Sequence, residues 1–67
     1  MEHNIIWAKP TADHRDGKGF IVLCELPGNE ATPYVTWRTE SLAADADRYW
    51  GHYHHSYEAA KAEFEER

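Results

Sequence analysis

The stretch FIVLCEL at residues 20–26 decides the fold that this sequence predicts. It is rich in β-favouring residues, and successive side chains of a strand point to opposite faces. One face carries Phe20, Val22, Cys24 and Leu26. The other face carries Ile21 and Leu23, followed by Glu25. Apolar residues on both faces predict a central strand, or a strand whose outer face is covered by a loop or a partner.

A second apolar stretch follows this strand. YVTWRT at 34–39 comes directly after Pro33 and alternates with the same period of two. The Pro-Gly-Asn turn residues that begin the connection at 27–33 separate the two stretches. The sequence therefore predicts an antiparallel pair of strands over 19–26 and 33–39.

A shorter apolar stretch, IIWA at 5–8, lies towards the beginning of the chain. It predicts a first strand over 5–9, because Pro10 cannot donate a hydrogen bond to a strand ladder. The Asp16-Gly17 and Lys18-Gly19 dipeptides then predict a tight turn, in which glycine supplies the positive φ that a hairpin loop requires.

The last stretch of the sequence predicts an amphipathic helix over 57–67. Its expected buried stripe consists of Tyr57, Ala60 and Phe64. Ser56 is a suitable N-cap residue. Glu63 and Arg67 are four residues apart and are expected to form an ion pair on the helix surface.

Residues 41–55 are compatible with the 3.6-residue period of a helix and with the two-residue period of a strand. The alanine-rich run LAADADR favours a helix capped by Ser41, and one helix over 42–67 would place its apolar residues on one side. Gly51 and the poor helix formers that follow it argue against this helix. The preferred prediction is a fourth strand near 48–54, followed by a new helix after Ser56.

The predicted fold class is therefore α+β, with a small antiparallel sheet of three or four strands packed against a C-terminal helix. We expect a single domain over 1–67. The expected core is Trp7, Phe20, Val22, Cys24, Val35, Trp37, Tyr57, Ala60 and Phe64, with Trp50 or Tyr53 closing one end.

Length and composition restrict the class of protein. A chain of 67 residues buries only about 60% of its unfolded surface, and its single cysteine excludes a disulfide within the chain. Three Trp, four Tyr and two Phe are too many rings for so short a chain to cover, which favours a homodimer or a partner surface. No stretch resembles a membrane span or a secretory leader, so we expect a cytoplasmic protein.

Three short motifs carry a resemblance to known proteins. YVTW at 34–37, WGHY at 50–53 and EAAKAEFEER at 58–67 resemble a pattern of short uncharacterised bacterial and phage proteins. The resemblance implies a β-rich sheet with a C-terminal helix, and it implies no activity. GKGFIVLCELPGN and SYEAAKAEF are also similar to antitoxin-like domains, although the intervening YVTW strand departs from that pattern.

The net charge of −5 is concentrated in the second half of the chain, where residues 39–67 hold seven acids against three bases. Such a surface is either a solvated helix face or a binding face for a basic partner. The candidate partner-binding residues are Glu58, Glu63, Glu66, Asp45, Asp47 and Tyr34. The leading functional prediction is a small non-enzymatic protein-interaction module, such as a phage or mobile-element accessory or inhibitor protein, that binds a protein partner or self-associates.

Two alternatives stay open. A metal site would use His52 and His54, with His55 close by, but a tight zinc site needs further ligands from His3, His14 or an acid. A nucleic-acid site would use the β-hairpin face with Lys9, Arg15, Lys18 and Arg38, which the acidic net charge disfavours. No catalytic residue and no cofactor are predicted, because the serines suit helix caps and Cys24 lies in an apolar stretch.

Overall fold

The computed structural model describes residues 4–43 and 46–67. It contains β1 (Asn4–Arg15), β2 (Lys18–Glu25), β3 (Tyr34–Thr39), β4 (Arg48–His54) and α1 (Tyr57–Glu66). The strands form one antiparallel sheet in the order β1-β2-β3-β4, and α1 packs against it. The predicted fold class is confirmed, and the fourth strand expected near 48–54 is present as β4.

The first strand is longer than the sequence predicted. β1 continues through Pro10, which pairs with Phe20, and ends only at Arg15. The expected end at Lys9 is wrong because β1 is an edge strand, where proline is tolerated when its missing N–H would face away from the neighbouring strand. The β1–β2 ladder is irregular at two places, with register shifts between Ile5 and Trp7 and between Pro10 and Arg15.

The predicted turn between β1 and β2 is confirmed. Arg15 pairs with Lys18, so the loop has two residues, Asp16 with φ of 53° and Gly17 with φ of 73°. Positive φ at both positions is the geometry of a type I′ hairpin turn, which Asp-Gly favours.

The core consists of two apolar clusters on opposite faces of the sheet. On the face that α1 covers, Ile21 and Leu23 pack against Ala60 and Phe64. The cluster on the other face is Val22, Cys24, Leu26 and Val35, with Phe20 and Trp37 packed against it. The expected core grouped Val22, Cys24 and Val35 with Ala60 and Phe64, whereas the structure places these residues in two separate clusters. An alternating pattern with two apolar faces does not say which face the helix covers.

Individual side chains of the expected core differ in burial. Val22, Cys24, Val35, Ala60 and Phe64 are buried as predicted. Trp7 is 45% exposed, because it lies on the edge strand, although its indole Nε1 donates to the Tyr57 hydroxyl at 2.6 Å. Trp50 and Tyr53, expected to close one end, are 66% and 51% exposed.

The helix begins and ends as its sequence suggests. Ser56 is the N-cap, and its side chain accepts a hydrogen bond from the amide of Ala59 at 3.2 Å. The expected surface pair of Glu63 with Arg67 is replaced, since both side chains turn towards the sheet. Within the part of the chain that the structure describes, no helix is long and apolar enough to cross a membrane.

Gly51 allows β4 to lie against the ring of Trp37. A Cβ built on Gly51 would lie 2.6 Å from Cε3 and 2.9 Å from Cη2 of that ring. We expect Gly51→Ala to lower the free energy of unfolding by about 1–3 kcal/mol, since the ring must shift or strain. Urea unfolding followed by circular dichroism measures the change. In a Trp37→Leu background the same substitution should cost much less, and an equal cost in both backgrounds would contradict the steric explanation.

Candidate functional site

Two histidines and a glutamate meet between β4 and α1. Residues 52 and 54 are two apart on β4, so both side chains point to the face that α1 covers. Glu63 approaches from the helix: its Oε2 lies 2.7 Å from Nδ1 of His52, and its Oε1 lies 3.0 Å from Nε2 of His54. Because a carboxylate only accepts hydrogen bonds, both of these ring nitrogens are protonated donors.

Thr36 and Arg67 extend this cluster across the sheet. The buried hydroxyl of Thr36 donates to Oε1 of Glu63 at 2.7 Å. Arg67 then donates from Nη1 to the Oγ1 and carbonyl oxygen of Thr36, at 3.0 and 3.2 Å, and from Nη2 to the carbonyl oxygen of Trp50 at 3.0 Å. These contacts fasten the end of α1 to β3 and β4. We refer to Thr36, His52, His54, Glu63 and Arg67 as the Glu63 cluster.

The electrostatics of the cluster favour an ionised glutamate. Burial raises the pKa of Glu63, but the hydrogen bonds from Thr36, His54 and His52 outweigh it and lower that pKa from 4.5 to about 2. The side chain is only 28% exposed, so these bonds are partly shielded from solvent. The arrangement suits a fixed, hydrogen-bonded carboxylate that holds the helix on the sheet.

The Glu63 cluster does not have the ligand arrangement of a metal centre. Among residues 4–43 and 46–67, no group of three or more His, Cys, Asp and Glu side chains is arranged to hold a metal ion. The ring nitrogens of His52 and His54 that face the cluster are bonded to Glu63. His55 is exposed, and His14 lies on β1, where it contacts Gly19 and Phe20. Metal binding stays a prediction, and His3 lies outside the described residues.

The residues predicted to bind a partner do not form one surface. Glu58 and Glu66 are exposed on α1, whereas Glu63 is turned into the sheet. Asp47 is exposed beside Thr39, at the opposite end of β3 from the start of the helix. The ring of Tyr34 packs edge-on against that of Tyr57, with centroids 5.7 Å apart. Asp45 lies outside the described residues.

The cations of the nucleic-acid alternative are also dispersed. Arg38 bonds to both carboxylate oxygens of Asp13 at 2.8 and 2.9 Å, and these bonds, after one from Thr11, lower the pKa of Asp13 to about 2. Lys9 donates to the carbonyl oxygen of Glu65 at 3.2 Å. Arg15 and Lys18 are exposed at the β1–β2 turn. Two of the four cations, Arg38 and Lys9, therefore bond to groups of the same chain. Nucleic-acid binding stays a prediction.

The structure also presents a surface that the sequence reasoning did not select. All residues of Asn4–Ala8 are exposed, including Ile5 at 38%, Ile6 at 40% and Trp7 at 45%. We call this stretch the β1 edge segment. Among the described residues, β1 pairs with β2 and with no other strand. The signal is present in the sequence as the uncharged apolar run IIWA at 5–8, of which only Trp7 was expected in the core.

Comparison with family models gives no match, and neither the curated proteins nor the solved structures give one. The functional argument therefore rests on the geometry of the Glu63 cluster and of the β1 edge segment.

The low pKa of Glu63 predicts an acid-sensitive contribution to stability. Because its folded pKa of about 2 lies below its usual value of 4.5, the contribution is complete above pH 4.5 and is lost as the pH falls towards 2. We expect Glu63→Gln to lower the free energy of unfolding at neutral pH by roughly 1–2 kcal/mol, after allowance for solvent screening. Urea titrations at several pH values measure it. The exposed Glu66→Gln is the matched control, and an equal effect in both variants would contradict the prediction.

The same geometry makes a prediction about zinc. We expect the purified protein to hold no stoichiometric zinc, since a tight site needs ligands that the Glu63 cluster does not supply. Elemental analysis after incubation with equimolar Zn²⁺ and desalting measures the content. One zinc per chain, lost in the His52→Ala, His54→Ala double variant, would instead support the metal alternative.

Proposed function

We propose that this protein is a small non-enzymatic protein-interaction module that binds its partner through the β1 edge segment. The observation that carries the proposal is the run of exposed residues at Asn4–Ala8. It places three large apolar side chains on a strand that pairs with a single neighbour among the described residues. A run of this kind buries apolar area on association and offers unpaired backbone groups to a partner strand.

The apolar side chains supply the affinity in this proposal. Burying apolar surface contributes about 25 cal/mol per Å², and Trp is among the commonest anchor residues of protein interfaces. Trp7 is held in place for such a role, because its indole donates to the hydroxyl of Tyr57 and the ammonium of Lys61 lies 4.6 Å from its ring centroid. An anchor that is ordered before binding loses less entropy on association.

The acidic residues of α1 have a secondary role in the proposed binding. Glu58 and Glu66 lie on the exposed side of α1 and discourage nucleic-acid partners, whose phosphates repel them. They also speed the approach of a basic protein without fixing its position. An accessory or inhibitor protein of a phage or mobile element is one setting for such a module, since its short motifs resemble those of short bacterial and phage proteins. A cytoplasmic location, which a single cysteine favours, belongs to the same proposal.

The source of affinity can be tested by salt. We expect a complex captured on the immobilised protein, from a lysate of cells that carry its gene, to persist at about 1 M salt, where the Debye length is only about 3 Å. Apolar burial survives such screening, whereas binding through an acidic track does not. Quantitative mass spectrometry of the eluate measures the retained partner, including untagged copies of this chain.

Two variants show which surface is responsible. Ile6→Lys places a charge in the β1 edge segment and should abolish capture, whereas Leu42→Lys alters a side chain of similar exposure, 46%, outside the sheet. Equal capture by both variants would contradict the proposed surface. If the wild-type protein captures nothing and sediments as an inert monomer, the proposed function is wrong.

A further inference from the structure

We draw no further inference here: the strongest candidate, the surface cavity that Leu26, Tyr53 and the loop at residues 27–31 line beside the sheet face opposite α1, carries no proposal because nothing in the structure shows what covers it.

Discussion

The structure depends on a strand that must be buried on both sides. β2 carries apolar side chains on each face, and a chain of 67 residues supplies one described helix to cover them. α1 covers Ile21 and Leu23. The other face is covered by side chains of the sheet itself, since the rings of Phe20 and Trp37 pack over the Val22 cluster. The rings take the place of a second layer of helix or sheet on this face. A side chain at residue 51 would collide with the ring of Trp37, so glycine is required there.

The position of the helix is fixed by polar contacts as well as by packing. An apolar stripe as short as that of Ala60 and Phe64 tolerates sliding, because hydrophobic contact is non-directional. The bonds of Glu63 to Thr36 and to both histidines are directional and depend on one register of α1 against β3 and β4. This role explains His52 and His54, whose residue type is unfavourable in a helix.

The sequence was sufficient for local structure and insufficient for relations between elements. Alternation over 20–26 and 34–39, the Asp16-Gly17 turn and the Ser56 cap each depend on neighbouring residues, and all were predicted. The pairing of Glu63 with β4 depends on which face α1 covers, and period-two patterns do not contain that information. The end of β1 was misplaced for a related reason, because Pro10 stops an inner strand but not an edge strand.

The burial of β2 also explains where apolar surface remains. Covering the centre of the sheet uses the helix and the rings of β2 and β3, so nothing in the described chain is left for the outer side of β1. At the other edge, the carbonyl oxygen of Trp50 is bonded to Arg67, which belongs to the same polar network that positions the helix. Helix placement and edge protection are therefore linked. The Glu63 cluster secures one side of the sheet, and the exposed residues Ile5, Ile6 and Trp7 lie on the side that it does not reach.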